Sequence, residues 1–265
     1  MPENLALPQR RRFIVGACGA VLTAACPTPR AQPSGPAREL LVIGTRFEQI
    51  YERQASGEFT GMGVELVQAI AAQLGYAVRF EIYPWKRAQF LLAQGKADIL
   101  VGPYLSEERL RTMRFSRRPF FQDQMAFYAL AGAHQRWNGD YGTLAGKRIV
   151  MLNGWVYGKA FDAARGRLQV SVANTVENGL NMLKYRHVDL FATNRRDTEP
   201  VVDVMELRGK VESLQPLIDV QNAYFAFPPG ARFDALRLAF DKVLEELATR
   251  GELQRLAKRF SVSVA

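Results

Sequence analysis

Short apolar runs of strand length alternate with amphipathic helical stretches along nearly the whole chain, and that alternation restricts it to α/β architectures. Leu40-Leu41-Val42-Ile43-Gly44 reads as a buried strand. After Gly61-Met62-Gly63, apolar residues at Val64, Val67, Ile70, Ala71 and Leu74 follow helical spacing as far as Gly75. Residues 76–83 alternate as a strand, 87–94 form a second helix ended by Gly95, and Ile99-Leu100-Val101 is the next strand. Repetition of this unit implies a mostly parallel sheet covered on both faces.

A second series begins after the polar stretch 134–142. Strands are expected at 148–152, 168–173 and 188–193, with a helix at 157–164. Another helix starts from the capping-box pair Asn174 and Glu177 and runs to about Tyr185. Two helices close the chain, one carrying Phe233, Leu236, Phe240, Val243, Leu244 and Leu247, the other Leu253 and Leu256. Two apolar crossings, Met125 to Leu130 and Ala223 to Phe227, separate the second series from both ends. The expectation is two lobes, 38–126 with 227–265 and 127–226, and a cleft between them where polar ligands bind.

Residues 1–31 follow the order of an export signal. Arg10-Arg11-Arg12 precedes an apolar segment from Phe13 to about Ala25, too short to span a bilayer as a helix, and Pro27, Pro29 and Ala31 follow. Arg10 to Ile14 resembles a twin-arginine signal, so a periplasmic protein cleaved near Ala31 is expected. Lipidation at Cys26 is the less favoured alternative, because Thr23 stands where an aliphatic residue is usual. Cys18 and Cys26 are the only cysteines and both lie in this leader, so the cleaved chain would have neither disulfides nor a thiol nucleophile.

Without the leader the chain keeps 31 basic and 25 acidic residues, an excess of +6. That balance suits anionic ligands but is too mild and dispersed for nucleic acid. His134 and His187 are far apart and have no acidic or thiol partners at ligand spacing, so neither a metal site nor a Ser-His-Asp triad is supported and no cofactor is expected. A monomer is expected.

Gly102 to Ser116, GPYLSEERLRTMRFS, carries the most chemistry. Gly102-Pro103 is expected to stop the preceding strand. Ser106 can cap a short helix whose first turn holds Glu107 and Glu108, with Arg109 one turn in. A guanidinium beside a strand end and a helix start is placed to grip a carboxylate bidentately. The competing reading is a solvated ion pair with Glu107 or Glu108.

In order and spacing, the markers along the chain resemble the bacterial extracytoplasmic solute-binding proteins of family 3. They are Leu41 to Thr45, Phe59 to Leu66, Gly95 to Ile99, Ser106 to Arg109 with Phe115-Ser116, Leu144 to Arg148, Asp189 to Ala192 and Gly251-Glu252-Leu253. Pro84-Trp85-Lys86-Arg87 looks like a divergent branch. The resemblance implies a two-lobed, type II periplasmic-binding-protein-like fold that closes on a small amino-acid-like solute and hands it to an ABC permease. It places Arg109 on the arginine that binds the ligand carboxylate and Tyr104 where a smaller hydroxyl residue is usual. Gly154-Trp155-Val156 replaces a Gly-Ser-Thr loop, and Asn194 replaces the aspartate that pairs with the ligand ammonium, leaving Asp197 or Glu199 to compensate.

Gly102 adjoins this site, and Phe47, Tyr51, Trp85, Tyr104, Trp155 and Tyr157 are candidate aromatic walls of the cleft. Two alternatives remain at this stage. One is a cyclohexadienyl dehydratase-like enzyme with Glu48, Glu52 or Asp123 as acid or base. The other is a sensor component for a membrane signalling partner.

Overall fold

The computed structural model describes residues 38–264. The expected export signal, with Cys18, Cys26 and the lipidation alternative, lies outside them.

The first series comprises β1 (Glu39–Gly44), β2 (Glu52–Arg53), β3 (Phe59–Thr60), α1 (Met62–Leu74), β4 (Ala77–Ile82), α2 (Trp85–Ala93) and β5 (Ile99–Tyr104). α1 buries Val64, Val67, Ile70 and Ala71, as its spacing dictates, and ends at Gly75. α3 (Glu107–Thr112), β6 (Arg114–Phe115) and β7 (Phe121–Leu130) lead out of it. The second series is β8 (Arg148–Leu152), α4 (Lys159–Arg165), β9 (Gln169–Ala173), α5 (Val176–Lys184), β10 (Leu190–Asn194), α6 (Arg195–Val204) and β11 (Val211–Ser213). β12 (Asp219–Phe227) returns to α7 (Ala231–Thr249) and α8 (Glu252–Phe260), which pack on α1.

The strand order is β4-β1-β5-β12-β7-β10-β8-β9, with β6 beside β12 and β11 beside β7. Both wings are parallel: β1 pairs with β4 and β5, and β8 with β9 and β10. The centre is antiparallel, because β7 and β12 are the two crossings between lobes. Asp123 and Gln124 of β7 pair with Gln221 and Val220 of β12 and with no third strand. This narrow waist carries the connection between the lobes. One core is built around Val42, Ile43, Leu100, Phe225 and Phe240; another, around Val150, Leu180, Phe191 and Val202, lies in the second lobe.

Two local expectations are corrected, and one helix is added to those expected. Gly102-Pro103 does not end β5, which continues to Tyr104. Gly102 takes a φ of 86°, and the partner strand shifts register between Ala223 and Phe225, so a bulge absorbs the irregularity. The cap of α5 is Thr175, whose hydroxyl accepts from the Asn178 N–H at 3.2 Å, while Asn174 instead accepts from the Asn153 amide. α6 was not expected from the sequence. Asn194 caps it by accepting the Asp197 N–H at 2.8 Å.

Candidate functional site

Arg109 is placed by the two elements on either side of it. β5 delivers the chain at Tyr104, and Ser106 then caps α3 by accepting the Arg109 N–H at 3.3 Å. One helical turn points the side chain inward, leaving Arg109 only 5% exposed, whereas Glu107 and Glu108 face solvent. The surface ion pair is therefore not what forms. Arg109 Nη1 donates to the Tyr104 carbonyl at 2.6 Å, Nη2 to the Gly154 carbonyl at 2.8 Å, and Nε to Gln89 Oε1 at 3.2 Å. Its guanidinium lies 5.5 Å from the Trp85 ring. Every one of these acceptors is neutral. Burial pulls the pKa of Arg109 down to about 10, so it remains cationic at neutral pH with no carboxylate bound to it among the described residues.

Phe47, Trp85, Gly102, Tyr104, Arg109 and Trp155 enclose a hollow of about 10 Å³. Phe47 meets Trp85 edge-on at 5.2 Å and Trp155 at 6.2 Å. The Gly154 carbonyl, from the other lobe, also accepts from Trp85 Nε1 at 3.2 Å. A side chain at Gly154 would meet Lys86, whose Cε is 2.8 Å from the site of a Cβ. Outside this seal a groove of about 690 Å³ opens between the lobes, bordered by Arg46, Lys86, Asn153, Asn174, Glu177 and Asp197 among others.

Behind Tyr104 lies a buried polar network that spans both lobes and the waist. Arg196, near the start of α6, grips Asp123 with Nε to Oδ1 at 2.9 Å and Nη2 to Oδ2 at 2.8 Å. Its Nη1 reaches Asp197 Oδ1 at 2.8 Å and the Glu48 carbonyl. Tyr104 donates to Asp123 Oδ2 at 2.5 Å. Burial alone would lower the pKa of Arg196, but Asp123 and Asp197 outweigh it and hold the group charged. Burial raises the pKa of Asp197 against the opposing pull of Arg196, and burial followed by the Asp123 charge raises that of Tyr104 well above its ordinary range.

Of the expected site residues, Arg109, Tyr104, Trp85, Gly102 and Trp155 border the hollow, and Gly154 contributes its carbonyl. Asn194 stands one layer back, its Nδ2 reaching Tyr104 Oη at 3.1 Å, Asp123 Oδ2 at 3.2 Å and Asp197 Oδ2 at 2.9 Å. Tyr51 is not a wall of the cleft. It is fully buried in the first lobe, where its hydroxyl donates to the Val42 and Glu81 carbonyls at 2.9 and 3.0 Å and its ring meets Phe59 and Phe80. Tyr157 is likewise core, donating to the Ala192 carbonyl at 3.0 Å. Glu199 is bound to the Tyr128 hydroxyl at 2.6 Å and takes no part in the Arg196 network. Sequence reasoning missed Gln89 and, above all, Arg196. The spacing of Asn194 and Asp197 as a helix cap would have placed Arg196 in the first turn.

A family model described as bacterial extracellular solute-binding proteins, family 3, matches residues 41–263. A probable amino-acid-binding protein of Bacillus subtilis, YxeM, is 23% identical over 94% of this chain and 93% of that protein. Membrane-bound lytic murein transglycosylase F of Nitrosospira multiformis is 26% identical over 94% of this chain, which spans only 52% of that protein. Among solved structures, a histidine kinase sensor domain with similarity to periplasmic binding proteins superposes with a TM-score of 0.76 at 21% identity, covering 86% of this chain and 99% of that one. The fold is the two-lobed, type II periplasmic-binding-protein-like one. Among the described residues no helix is long and apolar enough to cross a membrane.

Proposed function

Because the chain belongs to the bacterial extracellular solute-binding proteins of family 3, we propose that it captures a small carboxylate-bearing solute between its lobes and delivers it, in the periplasm, to an ABC-type importer. The observation that carries this reading is Arg109: a buried guanidinium that donates only to neutral acceptors. A cation withdrawn from water without a counter-charge is costly, and a ligand carboxylate supplies that charge.

In this reading the solute enters through the groove, and the lobes part by bending at the Asp123–Gln124 and Val220–Gln221 waist. The lobe limits proposed are the expected ones, 38–126 with 227–265 against 127–226. The carboxylate takes the Nη2 donor that now serves Gly154, Trp85 and Trp155 cover the solute, and closure strengthens the charge pair by excluding water. A binding role without chemistry is supported by the state of the acids around the site, because Asp123 and Asp197 are engaged by Arg196 and Glu48 is paired with Arg46.

The test is a thermal-shift screen of the protein against amino acids, dicarboxylates, aromatic acids, short peptides and polyamines, with Arg109→Ala in parallel. Ligand binding to the folded state raises Tm by mass action. A carboxylate whose shift disappears in Arg109→Ala supports the reading, and one that stabilises both proteins equally removes Arg109 from the site.

A further inference from the structure

Behind the hollow stand two buried carboxylates, Asp123 and Asp197, while Glu48, paired with Arg46, and the exposed Glu177 border the outer groove. A ligand ammonium seated beside Arg109 would look to the buried pair for its counter-charge. Neither is available. Asp123 Oδ2 already accepts from Tyr104 Oη at 2.5 Å, Arg196 Nη2 at 2.8 Å and Asn194 Nδ2 at 3.2 Å, and Oδ1 accepts from Arg196 Nε at 2.9 Å. Asp197 Oδ1 accepts from Arg196 Nη1 at 2.8 Å and the Glu48 N–H at 3.1 Å, and Oδ2 from Asn194 at 2.9 Å. A carboxylate has about four acceptor positions, so these two are close to saturated. Neither borders the hollow beside Arg109, whose walls are Phe47, Trp85, Gly102, Tyr104 and Trp155. The Arg196 guanidinium is itself fixed from the sides, 5.1 Å from the Phe121 ring and 6.0 Å from that of Phe47.

We propose that Arg196 is a built-in substitute for a ligand cation, so that the site selects small carboxylates with an aromatic or apolar body and no α-ammonium group. The proposal rests on the carboxylate reading of Arg109 and narrows it. An ammonium entering the hollow would lose its water and meet the Arg109 cation among aromatic rings, while the two acids behind Tyr104 are already engaged by Arg196. Displacing Arg196 would leave that guanidinium as the uncompensated buried charge, so the exchange gains nothing. An acid without the amine meets only what the hollow offers: one cation and apolar rings.

Isothermal titration with matched pairs tests this: 3-phenylpropanoate against L-phenylalanine, indole-3-propanoate against L-tryptophan, and 4-methylpentanoate against L-leucine. The wild type, Arg109→Met and Arg196→Gln are measured together. The expected result is that the acid lacking the amine binds the wild type at least about tenfold more tightly than its amino counterpart. That binding is lost in Arg109→Met, and the preference narrows or reverses in Arg196→Gln, where the acids are released. Should Arg196→Gln not fold, the other two proteins still decide. An amino acid that binds as tightly as its partner or more tightly, with loss in Arg109→Met, overturns the selection by Arg196 and leaves the carboxylate reading standing. Binding that survives Arg109→Met, or no binding by any pair, overturns the carboxylate reading and the selection with it.

Discussion

Arg109 reaches across the cleft to the carbonyl oxygen of Gly154, 2.8 Å from Nη2, and so one lobe holds the other through a charged donor and a neutral acceptor. A carboxylate in that position would add a full charge to the same hydrogen bond. A charge-assisted bond at a buried site is worth about 1.5–3 kcal/mol, so Arg109→Met is expected to weaken carboxylate binding by roughly 10- to 100-fold. The same substitution removes an unpaired buried charge, and the unliganded protein is expected to keep its Tm or gain a few degrees. Titration calorimetry and thermal unfolding separate the two effects. A variant that unfolds easily yet binds normally would make Arg109 a structural residue.

Arg196→Gln should show a stability deficit that depends on pH. Burial already raises the pKa of Asp197, with Arg196 opposing that rise and Asp123 adding to it. Without Arg196 the largest lowering influence is gone, and only the weaker hydrogen bonds from Asn194 and the Glu48 N–H still oppose burial and the Asp123 charge. An acid whose folded pKa exceeds its unfolded value of about 3.9 binds protons more tightly when folded. Its penalty is absent below the unfolded pKa and grows as pH rises to the folded one. The deficit relative to wild type is therefore expected to be about 3–5 kcal/mol at neutral pH and to shrink toward pH 4. Urea unfolding across that range measures it, and a pH-independent deficit would mean that the loss is packing rather than charge.

Tyr51→Phe tests the displacement of Tyr51 from the cleft to the core. Its hydroxyl bridges the Val42 and Glu81 carbonyls on neighbouring strands β1 and β4, and burial pushes its pKa up. Removing it should cost about 1–2 kcal/mol of stability while ligand affinity stays unchanged. A loss of affinity without a loss of stability would return Tyr51 to the site.

The features legible in the sequence were those set by local periodicity and caps. α1 follows its 3.6-residue apolar spacing to Gly75, and the Ser106 cap that aims Arg109 inward needs only four residues to be read. What stayed hidden depends on partners far along the chain. Arg195-Arg196-Asp197 resembles any solvated charge run, and Arg196 is buried because the start of α6 meets Asp123 on the waist and the Glu48 backbone of the first lobe. Gly102-Pro103 has the local chemistry of a strand end, yet pairing with β12 carries the strand through it. Tyr51 sits just past an apolar strand, where an aromatic can turn toward the cleft or the core, and acceptors on β1 and β4 decide.

Gly179 lies inside α5, where helix propensity favours alanine by about 0.5–1 kcal/mol. Packing opposes it. A Cβ there would come within 2.5 Å of the Phe191 ring carbons Cε2 and Cζ, and Phe191 is fully buried on β10 beneath the helix. Overpacking of that kind costs about 1–3 kcal/mol, because either the ring leaves its rotamer or the helix lifts from the sheet. The steric cost exceeds the propensity gain, so Gly179→Ala is expected to lower stability by about 1–2 kcal/mol. Chemical denaturation reads the sign directly. A stabilised variant would show that Phe191 can yield at little cost and that the second-lobe core is softer than its packing indicates. Because β10 joins Phe191 to Asn194, which touches Tyr104, calorimetry on the same variant also asks whether strain in this core reaches the site. Asn194 is held by Asp123 and Asp197 as well as by Tyr104, so affinity is expected to change by less than about twofold.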